Sequence, residues 1–334
     1  MNKPRCNEYD YIDFLIATPG SYSCVEAAAV QPERDKMPGH DAFTRLLTRL
    51  EPDATTLWQE AASQIERESG VLLIDDSTLD KPYARQIELV SRHWSGKHQA
   101  VVQGINLVTL LWTEGERHIP CDYRLYAKEQ DGLTKHDHFA QMLQTAQGRG
   151  FQPRCVLFDS WYASLDNLKL VRDLGWRWLT QLKRNRLVNP DGTGLQAVST
   201  LEVAESGRIV HLKGYGLVKL FKLVTPHGDI EYWATNDLEM TPLQRLHYPE
   251  FIWKIESYHR GIKQCCGIEK AQVRSALAQR NHIQLALRAF LRLERFSFVT
   301  GISWYEAKTA IIRRAVTAYL AQPLYSLTFS ASTA

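Results

Sequence analysis

Apolar positions along the chain change rhythm four times. Over residues 1–69 the rhythm is helical. Phe43, Leu46, Leu47 and Leu50 recur at steps of three, one and three, one face of a 3.6-residue helix. Ser23 predicts a cap for a helix over 25–30, which Pro32 and Pro38-Gly39 break. Pro52-Asp53 opens a further helix with Leu57, Ala61, Ala62 and Ile65 on one side. With Arg45 and Arg49 on one of them, these helices suit either a small DNA-binding head or a structural cap.

From Gly70 the rhythm becomes that of strands. Val71-Leu72-Leu73-Ile74 is a continuous apolar run, the mark of a strand buried on both faces, and it ends in Asp75-Asp76-Ser77-Thr78. Further strands are predicted over 100–112 and 118–126, then a helix over 136–147 closed by Gly148-Arg149-Gly150. Cys155-Val156-Leu157-Phe158 is another short buried strand, ending in Asp159-Ser160-Trp161-Tyr162. A helix over 165–174 and a strand over 176–182 follow. Three strands, a helix, a strand, a helix and a strand predict an α/β unit with a mixed sheet. After the turn Asn189-Pro190-Asp191-Gly192, short strands over 209–212, 218–224 and 230–234 read as a β-rich insertion. From Thr241 the pattern is helical, strongest over 281–296, until a small, polar, frayed end from about Ser326. The chain thus divides into 1–69, 70–185, 186–240 and 241–334.

Composition narrows the class. A length of 334 residues suits about two domains, and 44% hydrophobic with 23% charged residues excludes collagenous, disordered and low-complexity chains. The longest apolar stretch, 105–112, is interrupted by Asn106 and Thr109, whereas a membrane span needs about 20 apolar residues. The N-terminus lacks a signal-peptide pattern, and six cysteines without a regular framework fit a cytoplasmic location. The net charge of +3 conceals an asymmetry. From Thr241 onward 13 Lys and Arg stand against 5 Asp and Glu, a surplus of 8, while the first 240 residues carry a net −5. The C-terminal part therefore calls for an anionic partner, most commonly nucleic acid, or is a basic face without a ligand.

The acids fall at telling places. Asp76 and Asp159 each follow a buried strand, and the C-terminal ends of neighbouring strands converge on one crevice. Two carboxylates there repel each other unless a hard divalent cation sits between them, or else each caps the next helix. In the helical stretch Trp253-Lys254-Ile255-Glu256-Ser257-Tyr258-His259-Arg260-Gly261-Ile262-Lys263, Glu256 and Lys263 share a face with His259 and Arg260 between them. That face carries a carboxylate for a metal site and cations for a phosphate backbone, or ordinary surface ion pairs.

Other groupings have plainer readings. The stretch 93–98, His-Trp-Ser-Gly-Lys-His, reads as a loop, either a DNA contact or a polar turn. Thr134-Lys135-His136-Asp137-His138 reads as a helix start, since its histidines lack the spacing of a helical zinc pair. Cys265 and Cys266, with His259 and His282, read as packed core groups rather than a zinc site. Arg184, Asn185 and Arg186, and farther on Arg274, Arg280, Arg288, Arg292 and Arg295, are candidates for contacts to phosphates, which carry no base information.

Three segments together carry a family likeness. They are Leu73-Ile74-Asp75-Asp76-Ser77-Thr78-Leu79-Asp80-Lys81-Pro82, Val156-Leu157-Phe158-Asp159-Ser160-Trp161-Tyr162, and Glu256 followed after six residues by Lys263. Over about 71–292 the chain resembles the insertion-sequence DDE transposases, in the branch with a Tyr–Arg–Glu–Lys signature. The resemblance implies a ribonuclease-H-like mixed sheet with a β-rich insertion, flanked by helical N- and C-terminal regions. It implies a catalytic, metal-binding triad of Asp76, Asp159 and Glu256, Asp76 being preferred to Asp75 because Ser77-Thr78 follows it. It further implies two Mg²⁺ or Mn²⁺ ions, cleavage at transposon ends, strand transfer into target DNA, and a homodimer on the nucleoid. Lys263, Arg260, Lys254 and His259 would contact DNA. Trp161, Trp253 and Tyr258 would hold a flipped base, unless they are core residues, which is the plainer expectation. The signature's Arg and Tyr positions are occupied by Ile252 and Pro249, with Tyr248 one place off. A nuclease that joins nothing, and an inactive DNA-binding relic, are the other readings.

Overall fold

The structure is a computed structural model that describes residues 4–33, 35–95, 99–225 and 227–323. Four short helices come first: α1 (Glu8–Ala17), α2 (Cys24–Ala29), α3 (His40–Arg49) and α4 (Ala54–Ala61). Strands β1 (Val71–Asp80), β2 (Ser91–Ser95), β3 (Ala100–Thr113) and β4 (Ile119–Tyr126) lead to α5 (Lys128–Asp131) and α6 (Lys135–Gly148). Then come β5 (Cys155–Phe158), α7 (Leu165–Asp173) and β6 (Trp178–Leu182). The inserted strands are β7 (Leu187–Asn189), β8 (Gln196–Ala197), β9 (Arg208–Leu212), β10 (Gly216–Val224) and β11 (Ile230–Thr235). Helices α8 (Pro242–Cys265), α9 (Ala276–Thr300) and α10 (Trp304–Ala321) complete the described chain.

Local chemistry explains where the helices begin. Ser23 caps α2 as expected, and Ser164, Ser275 and Ser303 cap α7, α9 and α10. Thr134 with Asp137, and Thr241 with Gln244, form reciprocal capping boxes for α6 and α8. Gly301, at φ +72°, ends α9 in the left-handed conformation a glycine adopts without strain.

The sheet core runs β4-β3-β1-β5-β6, with β3 antiparallel to β1 and β5 and β6 parallel to it. Helices α6 and α7 lie in the crossovers that connect the parallel strands, as parallel pairs require. Helix α8 packs on β1 and β3. With both faces covered, Val71, Leu72, Leu73 and Ile74 are all buried. The β-rich insertion continues this sheet rather than standing apart from it. Strand β11 pairs antiparallel with β6, and β10, β9, β7 and β8 follow in that order.

Two sequence expectations need correction here. Strand β1 does not end at Ile74 but runs through the acids to Asp80, because β3 pairs with it over its whole length. His93 and Trp94 lie on β2, not in a loop, while 96–98 fall outside the described residues, as does the chain end from Ser326.

Helix α9 is the hub. Its residues from Ile283 to Leu291 are buried all round, as befits a helix surrounded by other elements. Asn281 Nδ2 donates to the carbonyls of Leu47 and Leu50, both at 2.8 Å, and thereby satisfies the end of α3. The N-terminal helices α1, α3 and α4 all pack on α9, in the manner of a cap, with Arg45 left exposed. Gly261 lets α8 approach α9 and α10. A Cβ there would lie 2.8 Å from Phe290 Cε2 and 2.9 Å from Trp304 Cε3. Gly261→Ala is expected to lower stability by about 1–3 kcal/mol by overpacking. An unchanged urea midpoint would show instead that the two rings can move aside.

Candidate active site

Strands β1 and β5 run side by side with Ile74 opposite Phe158. There β5 stops, while β1 continues with Asp75 opposite Thr109 and Asp76 opposite Val108 of β3. Asp159 is the first residue beyond β5. The three acids therefore gather in the notch where β5 leaves the sheet, the crevice at strand ends where open α/β sheets bind ligands. The Trp161 amide donates to Asp159 Oδ1 at 2.7 Å and fixes the direction of that carboxylate.

Alternation along β1 sends its two acids to opposite faces. Asp76 faces α6 and α7 and is held by three donors. Asn106 Nδ2 and Lys135 Nζ donate to Oδ2 at 2.7 and 2.8 Å, and the Tyr162 hydroxyl donates to Oδ1 at 2.9 Å. Burial pushes this carboxyl up, but the charge of Lys135 and the three hydrogen bonds outweigh it and hold it below the usual range. The Tyr162 phenol is raised by burial and by the neighbouring acids, so it stays protonated and donates.

Asp75 faces α8 and lacks such compensation. His259 Nδ1 lies 3.8 Å from Asp75 Oδ2, too far for a hydrogen bond. Burial, helped by Lys263, lowers His259 to about 3, so at neutral pH it brings no charge. Its Nε2 is buried without a partner among the described residues. Burial and the charges of Asp76, Asp159 and Glu256 push Asp75 well above the usual range. Burial and the charge of Asp76 also raise Asp159.

Helix α8 supplies the rest. Glu256 is exposed on it and its charge reaches Asp75. Two turns on, Lys263 Nζ donates to the Thr78 carbonyl at 2.6 Å and lies 3.7 Å from Glu269, so it fastens α8 to β1 rather than pointing outward. Lys254 pairs with Glu116 at 2.8 Å, and Arg260 is exposed. Of the three candidate aromatics, Tyr258 is buried against Phe290 with ring centroids 5.1 Å apart, which removes it from DNA contact. Trp161 and Trp253, expected in the core, are instead 57% and 64% exposed. Ile252 is half-buried against the core, and the side chains at 248 and 249 fall outside the described residues.

Three residues around Asp76 escape the sequence reading. Asn106 gave a signal, as a polar residue in an otherwise buried strand. Lys135 looked like part of a helix start, and Tyr162 merely followed Asp159. Elsewhere the packed reading of the thiols holds: Cys265 and Cys266 are buried, and His282 lies between the Tyr11 hydroxyl at 3.0 Å and the Gly267 carbonyl at 3.2 Å.

Among the described residues no three His, Cys, Asp or Glu side chains form a ready-made metal shell. The donor set nevertheless fits a hard divalent cation. The charge of Asp76 helps to raise Asp159, a repulsion between neighbouring carboxylates that a cation relieves, and oxygen donors of this kind are what Mg²⁺ takes. Among the described residues no helix is long and apolar enough to cross a membrane.

No curated protein matches the sequence. The family model of the DDE superfamily endonucleases matches residues 9–219, a stretch that includes Asp75, Asp76 and Asp159 and stops before Glu256. With acids of this kind at the strand ends of a ribonuclease-H-like core, the chain belongs to the DDE superfamily of endonucleases.

Proposed function

We propose that the chain is an insertion-sequence transposase of the Tyr–Arg–Glu–Lys branch, which cuts DNA at the ends of its element and joins them to target DNA. The observation that carries this reading is the gathering of strand-end acids at the β1–β5 notch, with Glu256 brought to its edge by α8. Asp76, Asp159 and Glu256 are the residues that would hold two Mg²⁺ or Mn²⁺ ions. Bound there, the ions supply charge for the attacking and leaving oxygens of an in-line displacement at phosphorus.

The chain's own residues divide the remaining work. Asn106, Lys135 and Tyr162 orient Asp76, as partners behind a metal ligand do. The Trp161 amide orients Asp159. Arg260, exposed one turn after Glu256, replaces the cation that Ile252 does not provide and opposes charge on the reacting phosphate. Trp253 and Trp161 are the exposed aromatics available to an unstacked base. Pairing of two element ends by a homodimer, within the cytoplasm and on the nucleoid, belongs to the same reading.

The test is a cleavage and joining assay on labelled DNA carrying the element's end, with Mg²⁺. Strand-joined product is the expected result. Nicking without joining would leave a nuclease. Binding with no cleavage would leave an inactive relic.

A further inference from the structure

Beside Asp159, on the α7 side of the sheet, the surface opens into a cleft of about 540 Å³. His136 at the start of α6 and three further segments far apart in sequence wall it. Ser160 and Trp161 come from the loop after β5, Lys183, Asn185 and Arg186 from the turn after β6, and Lys213 and Gly214 from the turn between β9 and β10.

Backbone bonds brace the β6–β7 turn and tie it to the β9–β10 turn. The Arg186 amide donates to the Lys183 carbonyl at 2.9 Å, the Val198 amide to Arg186 at 2.9 Å, and the Lys213 amide to Leu187 at 3.4 Å. Gly214, at φ +78°, brings its turn so close to α7 that a Cβ would lie 3.0 Å from Leu165 Cδ1. Two of the walls are thus hydrogen-bonded turns, one of them packed close to α7.

Its chemistry is one-sided. Lys183, Arg186 and Lys213 line it, and no Asp or Glu does. Lys183 Nζ sits 5.8 Å from the centre of the Trp161 ring, a cation over an exposed aromatic wall. Arg186 Nη2 is buried and has no hydrogen-bond partner among the described residues. A buried guanidinium N–H without an acceptor is costly, and a ligand that brings anionic oxygens removes that cost. The planar fork of Arg matches the oxygens of a phosphate.

We propose that this cleft binds a backbone phosphate of the DNA strand whose neighbouring phosphodiester reacts at Asp159. Arg186 and Lys213 hold the anion, and Trp161 with Lys183 walls the cleft. The β-rich insertion thus completes a substrate subsite through Lys213. The inference rests on the DNA-cleaving reading above.

The experiment titrates full-length protein into a fluorescein-labelled DNA duplex of arbitrary sequence over a range of salt, and follows cleavage of the same DNA by wild type in Mg²⁺. Arg186→Gln and Lys213→Ala are each expected to weaken binding about tenfold. Each should also reduce the slope of log affinity against log salt by about one. Arg154→Ala, which removes an exposed cation at the end of β5 opposite Asp159, should change neither. A single methylphosphonate moved along the strand should cost wild type affinity at one position, and that cost should vanish in Arg186→Gln. Should Arg186→Gln fail to fold, Lys213→Ala decides alone, because that side chain is exposed. Wild-type affinity and salt slope in both variants would overturn the cleft. Weakened binding in the variants, with no cleavage by wild type, would support the phosphate site and overturn the cleaving reading instead.

Discussion

Asp76→Asn and Asp159→Asn proteins are each expected to lose at least about a thousandfold in single-turnover DNA cleavage while folding normally. A metal pair contributes several kcal/mol to such a transition state, and about 4 kcal/mol corresponds to a thousandfold. The exchange of carboxylate for amide keeps the shape and removes the charge. Asp75→Asn should cost about tenfold or less, since it removes an uncompensated charge from the edge of the notch and leaves the Asp76 cluster intact. The difference follows from the hydrogen bonds. Asp76 is held by the side chains of Asn106, Lys135 and Tyr162, and Asp159 by the Trp161 amide, whereas the nearest side-chain partner of Asp75 among the described residues is a neutral His259 at 3.8 Å. Preorganised carboxylates are the ones that serve as ligands. Mn²⁺ binding by electron paramagnetic resonance gives a readout independent of turnover. Weakened Mn²⁺ binding in Asp76→Asn and Asp159→Asn, but not in Asp75→Asn, supports the assignment. The reverse order would make Asp75 the first acid of the set.

Arg288→Met is expected to destabilise the protein by about 3–5 kcal/mol, the cost of leaving a buried ion pair with one partner missing. The Arg288 side chain is only 2% exposed. Its Nη1 and Nη2 reach the two oxygens of Glu8 on α1 at 2.9 and 3.1 Å, and its Nε and Nη2 reach Glu60 Oε1 on α4 at 3.1 and 2.6 Å. One guanidinium thus fastens two N-terminal helices to α9. Urea denaturation measures the loss, and a change below about 1 kcal/mol, the worth of an exposed pair, would show that the network does not act as a buried one. The double variant Glu8→Gln/Arg288→Met should lose less than the two single changes added together, because the sites are coupled. The pH dependence has a fixed sign. Hydrogen bonds to Arg288 pull Glu8 below its ordinary value, and those to Arg288 and Arg292 outweigh burial to do the same to Glu60. Their contribution is complete above the unfolded carboxylate value of about 4.3 and is lost as pH falls through the lowered folded values. The stability gap between wild type and Arg288→Met should therefore narrow on acidification, and a constant gap would count against the ion network.

Much of the architecture is legible in the sequence because it is local. Apolar runs of four marked β1 and β5, Ser23 and Pro52-Asp53 marked the starts of α2 and α4, and the order of strands and helices gave a mixed sheet. What was misread depends on distant partners. Nothing local says that Asp75, Asp76, Ser77 and Thr78 remain in a strand, since β3, some thirty residues later, keeps them paired. The exposure of Trp161 and Trp253 likewise reflects what does not pack on them, which an apolar residue type cannot report.

The site divides along the same line. By itself the sequence determined which acids and cations the chain owns, and that two acids stand where buried strands end. Only the tertiary structure decided that Asp75 and Asp76 look to opposite faces and that Lys135 comes from α6 to neutralise one of them. It also decided that Lys263 is spent on a backbone carbonyl, and that Arg186 and Lys213 share a cleft. The physical reason is range. Caps, turns and periodicity act within a few residues, whereas the charge, burial and hydrogen bonds that define a site act between elements the fold alone brings together.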